Sequence, residues 1–132
     1  MKVFMSYSHA DSALARRLAD ALRAVGLEVW RDEEQLFPGD NWALQIGRAL
    51  EETDAMVVLM TPRGVTSRAV MNDVGYAIGD PRFEGKLVPV IPKGDENSVP
   101  TFPWLRAVQS VVVDENQIED GAKRIATALH AA

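Results

Sequence analysis

The sequence predicts an α/β fold, a five-stranded parallel sheet of order 2-1-3-4-5 with helices on both faces. Three observations predict it. Short β-type runs alternate with amphipathic helical segments, and right-handed crossovers turn such an alternation into a parallel sheet. The longest unbroken apolar run, DAMVVLM at 54–60, has the character of a strand covered on both faces. No repeat, low-complexity segment or interdomain linker interrupts the pattern, so residues 1–132 are expected to form one three-layer domain.

Each element has its own warrant. KVFMS (2–6) reads as the first strand. Asp11 or Ser12 can cap a helix whose Leu14, Leu18, Ala21, Leu22 and Val25 fall on one face before Gly26 ends it. LEVW (27–30) is the second strand, followed by the polar loop RDEEQLFPGDN. Trp42, Ile46, Ala49 and Leu50 mark a second helix, with Trp42 at a core-facing phase.

DAMVVLM takes the middle of the sheet. After it, SRAVMNDVGYAIG (67–79) reads as a helix capped by Ser67, with Val70, Val74, Ala77 and Ile78 as its apolar stripe. Asp73 falls about 80 to 90° from the centre of that stripe, on its rim. KLVPVI (86–91) is the fourth strand, where Pro89 cannot donate to a ladder and points to a bulge or a position near an edge. A Pro-rich irregular stretch follows, with Trp104 expected as a plug beneath it. VQSVVV (108–113) is the last strand, and Ile118, Ala122, Ile125, Ala126 and Leu129 make the closing helix.

Composition narrows the function. Hydrophobic residues make up 47% and charged residues 25% of the chain, as in globular proteins, and no apolar run reaches the roughly 20 residues of a membrane helix. The N-terminal apolar run is too short for a signal-peptide core, and with no Cys the chain carries no disulfide; a cytoplasmic location and no membrane partner are the expectations. The net charge of −5 and the scattered cations argue against nucleic acid. There is no G-x-x-x-x-G-K-[ST] or G-x-G-x-x-G loop and no G-x-S-x-G elbow. His9 and His130 stand far apart without metal-ligand spacing, so no metal is expected.

In a sheet of this order ligands sit at the carboxyl ends of strands one and three. Ser6, Tyr7, Ser8 and His9 leave the first strand there, Arg31 and Asp32 the second, and Thr61, Pro62 and Arg63 the third. With Asp73 they could converge on one cleft. Several have plain alternatives: a solvated edge or salt-bridge partner for Asp73, a turn for Asp32, a ring packed at the sheet end for Tyr7, a loop position for His9, and simple solubility for Arg63.

The segments VFMSYSHADS, VWRDEEQLFPGDNW, MVVLMTPRGVTSRAVMNDVGYA and KLVPVI, in that order, resemble a Toll/interleukin-1 receptor (TIR) domain of the prokaryotic type, whose fold is flavodoxin-like. The resemblance covers residues 2 to about 93. It implies one of two functions. One is an NAD+ nucleosidase that cleaves the nicotinamide–ribose bond to ADP-ribose or a cyclic variant, with NAD+ as substrate and no cofactor, activated by self-assembly in defence or signalling. The other is a non-catalytic scaffold acting through contacts with other TIR domains as a homo-oligomer or filament.

Enzymes of the family carry a Glu in a pattern like S-x-W-x-x-x-E. With Ser67 on its Ser, Ala69 stands at the Trp and Asp73 at the Glu. Glycosidic cleavage passes through an oxocarbenium-like state that a carboxylate near the ribose can stabilise. The implied roles are Asp73 for the ribose, Ser6, Tyr7, Ser8 and Asp32 for positioning, Arg63 and Arg68 for phosphate, and residues 36–42, with Phe37, Gly39 and Trp42, as a gate. Leu36, Phe37 and Pro38 equally read as an exposed apolar tip suited to a neighbouring domain. A phosphorelay receiver would need an acidic pair after strand one and an Asp ending strand three, where Ser6–Tyr7 and Thr61 stand.

Overall fold

Parallel pairing sets the frame. In the computed structural model, which describes residues 1–130, the strands are β1 (Lys2–Ser6), β2 (Glu28–Trp30), β3 (Ala55–Leu59), β4 (Leu87–Pro92) and β5 (Val111–Val113). They form one sheet in the order β2-β1-β3-β4-β5 with every pair parallel, as the alternation predicts. All of β3 is buried.

The helices are α1 (Ser12–Ala24), α2 (Asp32–Gln35), α3 (Trp42–Glu52), α4 (Pro62–Val65), α5 (Arg68–Gly79) and α6 (Ile118–His130). The period of two in a strand divides the core. Val3 and Met5 of β1 join Val57 and Leu59 under α1 and α6, whereas Phe4, Met56 and Val58 pack with Ala49, Leu50, Val70 and Val74 of α3 and α5. Truncating a fully buried anchor such as Leu18 or Leu22 to Ala would cost about 2–5 kcal/mol.

Pro89 is resolved by the direction of the ladder. The carbonyls of Lys86 and Val90 accept from Met56 of β3 and from Met60 just beyond it, so the backbone of Pro89 faces β5, and pairing with β5 starts only at Val90. The missing N–H falls before that ladder begins, on a strand next to the sheet edge and with unbroken register toward β3. Gly26, at φ +97°, terminates α1 in a conformation that side chains disfavour.

Several expectations are corrected. Ile78 is 52% exposed. The stripe of α5 centres on Val70, Val74 and Ala77, which leaves Ile78 about 70° off on the rim opposite Asp73. The polar loop after β2 begins with the helical turn α2, and α4 follows β3 directly. β5 starts at Val111, not 108. Trp104, in contrast, is found as expected: half-buried, stacked on Phe102 with ring centres 5.8 Å apart, it packs on the α3–α5 side of the core. Among the described residues, no helix is long and apolar enough to cross a membrane.

Candidate functional site

The carboxyl end of β1 and the first turns of α5 meet at one carboxylate. Ser67 caps α5 by accepting from the Val70 N–H at 3.3 Å, and Asp73 lies beyond it on the helix. The buried Ser6 Oγ donates to Asp73 Oδ2 at 2.7 Å. Burial pushes the Asp73 carboxyl up to about 6; the Ser6 hydrogen bond opposes this and the charge of Asp32 adds to it. Among the described residues no cation pairs with Asp73.

Asp73 faces a cleft of about 370 Å³, within the size range of small-molecule sites. Ser6, Tyr7, Ser8 and His9 line it from the turn after β1, Trp30 and Asp32 from the end of β2, Trp42 and Ile46 from α3, and Ser67 and Ala69 from the start of α5. Phe4 and Trp30 stack with centres 5.0 Å apart. Trp42 corrects the sequence reading that packs it in the core: it is the first residue of α3, 39% exposed, its ring centre 6.3 Å from that of His9. The first turn of α3 overhangs the core, and Ile46, one turn later, is the first residue of the stripe to pack against it.

A polar network closes the β2 side. The Tyr7 hydroxyl donates to Glu33 Oε1 at 2.6 Å, with Asp32 Oδ1 also in reach at 3.2 Å. Burial, the bond to Glu33 and the charge of Asp32 push that hydroxyl far above its ordinary value, so Tyr7 acts as a hydrogen-bond donor and not as a base. His9 Nε2 lies 2.9 Å from Asp32 Oδ2. The buried Arg31 sits over the Tyr7 ring at 5.7 Å and donates to Glu34 at 2.6 Å, and Arg23 reaches the same Glu34 oxygen at 2.9 Å. Against the upward pull of burial, those two guanidinium groups hold Glu34 below the usual carboxylate value.

Ser6, Tyr7, Ser8, Asp32, Trp42 and Asp73 are therefore brought together, and three others are not. Arg63 turns away from the cleft. It donates to Asp11 Oδ1 at 2.6 and 2.9 Å, and Thr61 donates to Asp11 Oδ2. Asp11 is not the side-chain cap the sequence predicts; it precedes α1, but its carboxylate is buried in this ion pair. Phe37 and Gly39 are not among the residues lining the cleft. Phe37 is 65% exposed, Leu36 beside it is buried instead of joining an exposed tip, and Gly39 takes φ +93° in the bend that follows. His9 and Arg31 are the site residues that sequence reasoning undervalued. His9 carried a signal, since it follows Ser6–Ser8 in the same turn, whereas the burial of Arg31 has no local sign in the charged run RDEE.

The sequence profile of the family described as TIR domain matches residues 3–128. No curated protein matches the chain. Among solved structures it is similar to the metazoan TIR-STING receptor from C. gigas in complex with 2′,3′-cGAMP, with TM-score 0.70 and 22% identity over 91% of this chain and 38% of that one. The TIR domain of the Toll-related receptor TRR-2 from Hydra magnipapillata gives TM-score 0.66 and 18% identity over 82% of each chain. The CMP N-glycosidase BcmB of Clostridium botulinum gives TM-score 0.61 and 19% identity over 96% of this chain and 98% of that one. These likenesses show the fold. The chain spans little more than a third of the TIR-STING receptor it matches.

Proposed function

This chain belongs to the TIR domain family, and we propose that it is an NAD+ nucleosidase whose reaction takes place beside Asp73. One observation carries the reading: a part-buried carboxylate, held among the described residues by a single hydroxyl and by no cation, faces a cleft large enough for the nicotinamide–ribose half of the dinucleotide. A carboxylate so placed retains its capacity to accept from ribose hydroxyls and to stabilise positive charge.

In the reaction the C1′–N bond breaks and its electron pair passes to the pyridinium nitrogen, so nicotinamide leaves neutral and needs no proton. The ribosyl group becomes oxocarbenium-like and is captured at C1′ by water, which loses a proton, giving ADP-ribose, or by a nitrogen of the adenine, giving a cyclic product. Asp73 stabilises the developing charge. The exposed face of Trp42 offers a surface for a flat heteroaromatic ring. BcmB, by name a CMP N-glycosidase, supports bond cleavage of this class on this fold. Asp is one methylene shorter than the Glu of related enzymes, and a retreat of about 1 Å can slow a reaction on the order of 10²-fold.

The exposed Phe37 favours a second role for the same chain, contact with further TIR domains, with assembly in signalling or defence raising activity. The test follows nicotinamide release from NAD+ by the purified chain, concentrated or crowded. Release is expected from the wild type, lost in Asp73→Asn, and kept or raised in Asp73→Glu. Absence of release in every assembly state, with self-association abolished by Phe37→Ala, would leave the scaffold as the function.

A further inference from the structure

We propose that His9, Asp32 and Glu33 form a binding site for a divalent transition-metal ion of the zinc class at the edge of the cleft. One ligand atom from each residue lies within 4.8 Å of the other two. His9 Nε2 and Asp32 Oδ2 are already 2.9 Å apart, sharing a position that a metal ion can take in place of the proton.

The surrounding bonds select which atoms remain free. Asp32 Oδ1 accepts from the Glu33 N–H at 2.7 Å and Glu33 Oε1 accepts from Tyr7 at 2.6 Å, so an ion would take Asp32 Oδ2 and Glu33 Oε2, competing with the Ser12 hydroxyl that also bonds the Glu33 carboxylate. A donor that orients a ligating carboxylate in this way is a regular part of metal sites. His9 stands in a short 3-10 turn (His9–Asp11) preceded by Ser8, whose Oγ accepts from the Ala10 N–H at 3.4 Å. Arg31 makes its shortest bond to Glu34 and only a 3.9 Å ion pair with Glu33, and among the described residues no Lys or Arg pairs with Asp32.

One imidazole and two carboxylates suit zinc and its analogues, and the imidazole disfavours magnesium and calcium. Tetrahedral ligands about 2.1 Å from zinc lie about 3.4 Å apart, a closure that the exposed side chains of His9 and Glu33 can make by rotation. His9 and Asp32 line the same cleft as Asp73, so the open positions of the ion face that hollow. On the nucleosidase reading, which this clause alone rests on, the ligand filling them is the diphosphate of the dinucleotide.

The test needs no turnover. Zinc titration of the purified chain by calorimetry, with cobalt absorption as a second readout, should give one saturable site. His9→Ala and Glu33→Gln should each weaken it at least about 10-fold, and Tyr7→Phe should weaken it on the order of 10-fold, with thermal melts confirming that the variants fold. Because the chain has two His, substoichiometric manganese should broaden the ring protons of His9 and spare those of His130. Absence of saturable zinc binding, affinity unchanged in both His9→Ala and Glu33→Gln, or equal broadening of the two rings would overturn the proposal. Zinc binding without nicotinamide release in any assembly state would uphold the site and reject only the nucleosidase.

Discussion

Two carboxylates flank the end of β1, and the protein treats them oppositely. On the α1 side Asp11 is buried, takes the Thr61 hydroxyl and is neutralised by two bonds from Arg63. On the α5 side Asp73 takes the Ser6 hydroxyl and, among the described residues, nothing cationic, and its carboxyl is raised to about 6. The first arrangement satisfies a charge and fastens the start of α1 to the turn after β3. The second leaves a charge partly unsatisfied at the wall of a cleft. Pairing a buried acid is a means of holding structure, and leaving it unpaired preserves it for a ligand.

The same substitution at both positions is the strongest way to break this comparison. Asp73→Asn should remove nicotinamide release by about 10³-fold and raise the melting temperature at pH 7.5, since the amide keeps the acceptor for Ser6 and ends the cost of burying a charge. Asp11→Asn should leave release nearly unchanged and destabilise by on the order of 1–3 kcal/mol. Parallel melts and assays of the two variants check this; equal losses of stability would dissolve the distinction.

A smaller effect is expected from pH. Asp73 has a folded value near 6 against an ordinary 3.8, so its protonated form is favoured by folding. Its contribution to stability is complete below about pH 4 and is lost as pH rises through 6, while turnover, which needs the ionised form, should rise over that interval and level off above pH 7. Stability and rate profiles that do not oppose one another between pH 4 and 7 would count against Asp73 as the titrating group, and Asp73→Asn should flatten both.

The remaining two predictions sharpen the comparison at its margins. Trp42→Ala should raise KM for NAD+ several-fold, by loss of about 1 kcal/mol of ring contact, with kcat much less affected; steady-state kinetics separate the two. Arg63→Ala should lower the melting temperature and leave KM unchanged, because the guanidinium serves Asp11 and not the cleft. A raised KM in that variant would return Arg63 to phosphate binding.

The legible part of this molecule is what local pattern encodes. Unbroken apolar character at 54–60, the Ser67 cap and the phase of Asp73 on its helix are each set by neighbours within a turn or two, and each is found where the pattern places it. The pairing of Asp11 with Thr61 and Arg63 crosses about fifty residues of chain, so Asp11 reads locally as a helix cap and Arg63 as a free surface cation. Arg31 follows the same logic, since its burial depends on Tyr7 from another strand end. Leu36 and Phe37 are both apolar neighbours in one loop, and only the tertiary structure separates the buried one from the exposed one.

That separation gives the loop a mechanical character. Leu36 is a fulcrum: its side chain is seated in the protein, while α2 before it is clamped by Arg23 and Arg31 through Glu34. Beyond it the chain runs from the outward Phe37 through the bend at Gly39 to Trp42 at the wall of the hollow. A contact made at Phe37 from outside therefore adjoins, with only the bend at Gly39 between, the short stretch of chain that carries the indole beside the cleft.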